Sequence, residues 1–368
     1  MTDQTNSTTA ASPQAGSPAP DGAAPDGAAT DGAATVVVRG EELQRFTAQA
    51  LMAVGMREDD AQEMAGQIVG SELAGHESHG MRRLPEYIRQ AQSGGTDPAA
   101  VPVVDLDRGA LARIDGQRGF GHLVVRQATQ RAIERAKVDG IAAVSVHNSA
   151  YAGRLSHFCE DAAEQGVATL VFVNTGGAHR TVAVPGGTEA RFSTNPIAAG
   201  FPRSQAPHFV FDIATSVVAM GRLSEWRDRG EEIPEEWVTP AGLLQPFGGH
   251  KGLGLAMVAE ALAGALSTAG TPSEKEEDDE QGVLIIAIDV AGLRPLEEFT
   301  EETDTFLRFI ADTPVAEGWE KTRIPGESSA ATTAIRSREG TPVQRHAWES
   351  AQRLAQELGI DPLTAAEG

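Results

Sequence analysis

The chain has 368 residues, 40% of them hydrophobic and 22% charged, enough for one large domain or two smaller ones. Lys and Arg total 30 against 52 Asp and Glu, so the net charge is −22; such a surface repels phosphate backbones and argues against nucleic acid as a partner. The single cysteine, Cys159, allows neither an intrachain disulfide nor a zinc–thiolate cluster, and no apolar run reaches membrane-spanning length.

Residues 1–35 contain "PDGAAPDGAATDGAAT", with no aromatic and almost nothing to bury, so a disordered tail is predicted. No basic region followed by an apolar run stands at the N-terminus, and a cytoplasmic location is expected. Order is expected from "TVVVRGEELQRFTAQALMAVGM", where Leu43, Phe46, Ala50 and Val54 recur at helical spacing. A second helix is predicted over about Glu58–Ala74, with Ala61, Met64, Ala65 and Ile68 on one face. Gly75 then suits a helix C-terminus with positive φ. The next residues, "HESHG", gather His76, Ser78 and His79 on a loop held by a rigid helix.

Strands and helices then alternate. "VVRQATQRAIERAKV" reads as an amphipathic helix and "GIAAVSVH" as a buried strand. "RLSHFCEDAAEQ" reads as a helix and "GVATLVFVN" as another buried strand. "NPIAAGF" and "HFVFDIA" read as two more. "HKGLGLAMVAEALAGALS" is a long Ala- and Gly-rich helix suited to close packing, and "EKEEDDE" (Glu274–Glu280) a solvated acidic loop. "VLIIAIDV" reads as a strand, "EEFTEETDTFLRFIA" as a helix, and "TPVQRHAWESAQRLAQEL" as the C-terminal helix. The pattern is α/β with helical material at both ends.

The phosphate loops of common nucleotide enzymes are absent. "GFGHLV" and "GLGLAM" each carry two of the three glycines of G-x-G-x-x-G, and neither directly follows a strand. "PFGGHKGLGL" is different: glycines, His250 and Lys251 open a long helix, where backbone N–H groups and a full charge would hold a pyrophosphate or carboxylate. A turn with an exposed lysine fits it equally. "HESHG" permits a His76/His79 metal site, a Ser78–His79 proton relay with Arg83 placed for a carboxylate, or a histidine closing a helix end. Asp212, Thr215 and Ser216 could meet a ribose or amide, or serve as helix caps.

Five stretches in order, "GHESHGMRRLPEYI", "RFSTNPIAAGFPR", "FVFDIATSVVAMGR", "PFGGHKGLGLAMVAEALAGALS" and "RIPGE", resemble the type-2 malate/L-lactate dehydrogenases over about residues 36–360. That family includes ureidoglycolate and sulfolactate dehydrogenases and the Δ1-piperideine-2-carboxylate reductases. The resemblance implies a non-Rossmann nicotinamide-binding α/β fold with helical N- and C-terminal segments. It implies a homodimer, a small carboxylate substrate, and NADPH or NADH as cofactor. By the same resemblance, Ser78 and His79 belong to the catalytic site, Arg83 holds the substrate carboxylate, and Thr194 lies near the substrate. Asp212, Ile213, Ala214, His250, Lys251 and Gly252 would touch the cofactor. Arg336 and Arg338 fall where the reductases contact a cofactor phosphate, which favours NADPH. The implied organisation is a tail (1–35), an N-terminal helical part with the substrate loop (36–115), a nicotinamide-binding domain (116–295), and a C-terminal helical part packed on the N-terminal one (296–368).

The chain departs from the family in two places. In "HNSAYAGR", Tyr151 stands where the family has its acid/base histidine. A free tyrosine has a pKa of about 10 against about 6.5 for histidine, so it suits proton donation to a carbonyl or imine better than proton removal from an alcohol. It would contact the cofactor as well. The segment from Met220 to Pro246 is shortened, and Arg222 falls where the reductases carry an acid. Reduction at C2 of a 2-oxo or 2-imino acid is therefore expected over oxidation of a 2-hydroxy acid. The competing expectation is a family member that has lost its redox chemistry.

Overall fold

A computed structural model describes residues 35–175, 180–273 and 280–366. Residues 1–34 of the expected tail and 274–279 of the expected acidic loop lie outside the described residues. β1 (Thr35–Val38) leads into α1 (Gly40–Ala53) and α2 (Glu58–Leu73), both with acidic residues in the first turn, where the helix dipole favours them. Two short 3-10 turns, Glu77–His79 and Met81–Arg83, precede α3 (Leu84–Gln92), which carries Pro85 in its first turn. β2 (Val103–Arg108) and β3 (Leu111–Gly119) form a hairpin, and α4 (Gly121–Asp139) crosses to β4 (Ile141–Ser149). Next come α5 (Ser156–Glu164), β5 (Val167–Thr175), β6 (Val182–Ala183), β7 (Ala190–Phe192), β8 (Ile197–Phe201) and β9 (Phe209–Ile213). α6 (Met220–Arg229), α7 (His250–Ala259), β10 (Gln281–Asp289), α8 (Leu296–Ala311), α9 (Glu327–Glu339), β11 (Thr341–Gln344) and α10 (Arg345–Leu358) complete the order.

Seven strands make one sheet in the order β2-β3-β4-β10-β5-β8-β9. β3 and β4 pair in parallel, the arrangement that requires a crossover such as α4, and the other neighbours are antiparallel. This is no doubly wound parallel sheet. The absent dinucleotide fingerprint belongs to a topology the chain does not have. Ala128, Ala132 and Ala136 of α4 and Phe158 of α5 are buried with Val144, Val146, Val171 and Ile285 of the strands.

The two ends of the chain meet. β1 pairs antiparallel with β11, and Leu43, Phe46, Met64 and Ile68 share a second core with Val343 and Leu354. Two expected helices are corrected. Thr341–Gln344, expected to open the last helix, is the strand β11, because Val343 fills a core position opposite Val36. The long Ala-rich helix is α7 only to Ala259 and becomes π-helical over Glu260–Ala265. That change of pitch turns Glu260 inward, where its carboxylate accepts from Asn174 Nδ2 at 3.1 Å and Asn195 Nδ2 at 2.6 Å. Asn195 is thereby pinned beside Thr194.

Candidate active site

The chain turns out of α2 at Gly75, whose φ of +84° is unfavourable for a side-chain-bearing residue. The two 3-10 turns then present Ser78, His79 and Arg83 to a cavity of about 1180 Å³. Ser78 Oγ lies 2.9 Å from His79 Nδ1. With Ser78 donating, the neutral imidazole carries its proton on Nε2. His76 lines the same cavity, its Nε2 3.0 Å from Ser329 Oγ. Among the described residues no cluster of three His, Cys, Asp or Glu is placed to hold a metal ion.

Tyr151 follows β4 and forms the opposite wall. Its ring stacks beside His79 (centroids 6.1 Å apart) and Tyr87 (6.4 Å) and lies tilted to His122 (6.3 Å). The Arg83 guanidinium carbon stands 4.1 Å from its ring centre. Burial pushes the Tyr151 phenol up to about 12, and the nearby Arg83 charge only partly offsets this. The phenol is therefore protonated at neutral pH. Burial first, with Arg83 adding, pushes His122 down to about 3, so that imidazole is neutral. Arg83 forms an ion pair with Glu86 at 3.3 Å, yet its buried Nε has no hydrogen-bond partner among the described residues.

The far side of the cavity is built by Thr194 and by the end of β9, where Asp212, Ile213 and Ala214 line the wall. Asp212 Oδ2 accepts the Ser156 N–H at 3.0 Å, so it caps α5 from another element, and burial raises its carboxyl above the usual range. Thr215 Oγ1 donates to the Thr194 carbonyl and Ser216 Oγ to the Val218 carbonyl. Neither hydroxyl caps a helix, and neither residue lines the cavity.

Ser78, His79, Arg83, Tyr151, Thr194 and the Asp212–Ala214 segment thus share one cavity. His250 and Lys251 are exposed at the start of α7, outside its lining. Gly252 is buried behind the wall: a Cβ there would sit 2.5 Å from the Thr215 carbonyl oxygen.

Arg336 and Arg338 lie outside the cavity lining. Arg336 Nη1 donates to the Glu72 carbonyl at 2.6 Å and Nη2 pairs with Glu77 at 2.7 Å, and its side chain is only 8% exposed. Its donors are committed within the protein. Arg338 is 75% exposed and pairs with Glu339.

Sequence reasoning missed Tyr87 and His122. Tyr87 lies four residues beyond Arg83, one helical turn away on the same face. His122 opens α4 in "GFGHLV", and a Cβ at Gly153 would sit 2.5 Å from its Nε2, so the Tyr151 loop lies directly on it. The Gly121 position is as tight, 2.2 Å from the Ala150 carbonyl oxygen. Arg222 lines the cavity, its guanidinium 5.4 Å from the Trp237 ring centre.

Residues 38–352 match the family model described as malate/L-lactate dehydrogenase. The malate dehydrogenase of Pyrococcus abyssi is 32% identical, the match covering 88% of this chain and 95% of the relative. The L-lactate dehydrogenase of Cupriavidus necator is 34% identical over 83% of this chain and 93% of its own. Among solved structures, malate dehydrogenase from Pyrococcus horikoshii superposes with a TM-score of 0.82 at 29% identity, covering 91% of this chain and 99% of that one. The Δ1-piperideine-2-carboxylate reductase of Pseudomonas syringae gives 0.76 at 29% identity, over 88% and 99%.

Proposed function

Because the chain belongs to the malate/L-lactate dehydrogenase family, and is thus a nicotinamide-dependent oxidoreductase, we propose that it acts mainly as a reductase of small 2-oxo or 2-imino carboxylic acids. The observation that carries the direction is Tyr151, a phenol held protonated by burial beside Arg83. A group that keeps its proton at neutral pH is equipped to donate to a developing alkoxide or amine and poorly equipped to accept from an alcohol. The family matches favour this reading over a chain that has shed its redox chemistry.

The cavity suits a cofactor and a small acid together. Its volume, about 1180 Å³, exceeds the usual range for one small ligand, roughly 300–1,000 Å³. Arg83 and Gln90 supply polar side chains to its wall. The nicotinamide, as NADH or NADPH, supplies the hydride. Asp212, Ile213 and Ala214 would line its site, and Lys251 would meet its phosphates if the ligand extends to the start of α7. Arg83 would pair with the substrate carboxylate in its planar fork and so orient C2. Tyr151 would donate its proton to the C2 oxygen or nitrogen as that atom gains an electron pair. His79, with Ser78 donating to its Nδ1, would pass a proton to the phenolate from Nε2 while taking up the Ser78 proton, which solvent replaces. Thr194, fixed through Asn195 and Glu260, sets the wall beside the substrate.

The test is oxidation of NADH and NADPH followed by nicotinamide absorbance, with pyruvate, oxaloacetate and a cyclic 2-imino acid as acceptors. Turnover with one of these, and slower oxidation of the matching 2-hydroxy or amino acid at pH 7, is the expected result. Efficient oxidation at pH 7 with no reduction of any acceptor would reverse the proposed direction.

We also propose a homodimer. α7 leaves Leu255, Met257 and Val258 36%, 57% and 42% exposed on a helix otherwise built for close packing. A cytoplasmic location completes the reading and rests on a chain whose single cysteine is buried.

A further inference from the structure

α9 lays three side chains along the loop that carries Ser78 and His79. Ser329, Thr332 and Arg336 are three and four residues apart, so they share one helix face. Ser329 Oγ meets His76 Nε2 at 3.0 Å, and Thr332 Cγ2 would lie 3.3 Å from a Cβ at Gly75. Arg336 reaches both ends of the turn, the Glu72 carbonyl at 2.6 Å and the Glu77 carboxylate at 2.7 Å. From below, the Glu72 side chain, 3% exposed, closes the loop by accepting the Met81 N–H at 2.9 Å. Gly80 makes room for it, since a Cβ there would lie 1.9 Å from Glu72 Oε2.

We propose that Arg336 and Glu72 are positioning residues that hold Ser78 and His79 in register with Tyr151. Neither touches the cavity. Each acts through the backbone between Glu72 and Arg83. The fork of a guanidinium is what lets one side chain serve a carbonyl and a carboxylate together, and a lysine ammonium cannot hold both in that geometry. A cofactor contact is the wrong role for Arg336, because a buried arginine that leaves two acceptors to reach a phosphate would abandon both. The proposal rests on the reductase reading only for its kinetic readout.

The experiment uses the full chain with Arg336→Lys, Arg336→Met, Glu77→Gln and Glu72→Gln beside the wild type. Two readouts are taken: kcat and KM for NADH-dependent reduction of pyruvate, and the pH titration of the His79 ring by proton–nitrogen NMR, assigned with His79→Gln. Expected are at least a tenfold fall in kcat for Arg336→Met with KM within about threefold, partial recovery in Arg336→Lys, and a His79 titration displaced in both and in Glu77→Gln. Should Arg336→Met fail to fold, Glu77→Gln breaks the same pair from its more exposed side and decides alone. Glu72→Gln should likewise displace the His79 titration. An unchanged kcat and an unchanged His79 titration in a folded Arg336→Met or Glu77→Gln protein would overturn the role of Arg336, and the same result in Glu72→Gln that of Glu72. If the wild type does not reduce pyruvate, the His79 titration still tests the positioning role, and the failure belongs to the substrate reading alone.

Discussion

Arg83 lies 4.1 Å from the ring centre of Tyr151, a desolvated cation–aromatic contact worth about 1–2 kcal/mol. Tyr151→Phe keeps that contact and removes only the proton. Reduction should therefore lose on the order of 10²-fold or more in kcat with KM little changed, and thermal unfolding should be unaffected. Arg83→Lys keeps the charge but loses the fork, so KM for the carboxylate substrate should rise roughly tenfold or more while cofactor affinity measured by nicotinamide fluorescence stays the same. At this scale the linear pattern showed part of the site. "SHG" with an arginine four residues on signals a loop-borne relay and an anion partner. Tyr87 and His122 escaped because a lone Tyr in a helix and a lone His at a helix start read as ordinary core, and only their ring contacts with Tyr151, stacked for Tyr87 and edge-on for His122, give them a place.

The elements most legible in the sequence were those with one clear period. α1, α2, α4 and the buried strands β4, β5 and β10 lie where apolar spacing put them. The β2–β3 hairpin escaped because "VVDLDRGALARIDGQRG" is rich in Asp and Arg on an edge where β2 is almost wholly exposed. α9 carries little apolar periodicity and is held by polar contacts, so nothing in its sequence announced a helix tied to the loop at His76 and Glu77. The element scale makes two predictions. Gly80→Ala should displace the Glu72 carboxylate and cost stability, lowering the unfolding midpoint together with activity, whereas Gly140→Ala, where a Cβ meets nothing within 4 Å, should cost only the strain of φ +82°. Met257→Glu should shift sedimentation toward monomer if the α7 face joins two copies. An unchanged sedimentation coefficient would locate the interface elsewhere.

Across the whole molecule, two buried groups set opposite responses to pH. His122 is pushed down to about 3, so between its unfolded value and that pH the unfolded chain binds more protons, and stability falls as pH falls. Glu72 is pushed up to about 7, by burial first and by Glu77 next, so between its unfolded value near 4.5 and pH 7 the folded chain binds more protons, and stability falls as pH rises. The two slopes oppose one another over about pH 4.5–6.5. Glu72→Gln should remove one of them, leaving a protein whose urea midpoint climbs more steeply from pH 5 to pH 7 than that of the wild type. A parallel pH profile for the two would show that Glu72 does not titrate in that window.

The sequence by itself determined the α/β class, the family likeness and the composition of the Ser78–His79–Arg83 loop. These are local properties: apolar period, helix-ending glycine and residue type at short spacing. It also carried the departure at Tyr151, since a replaced side chain is visible in any alignment of motifs. Tertiary structure alone decided which distant residues face one another. It set the Arg336 guanidinium on the Glu72 carbonyl, 264 residues away in the chain and 2.6 Å away in space. It also placed Tyr151 under a guanidinium and against two imidazoles, and burial there, which no linear spacing encodes, keeps the phenol protonated.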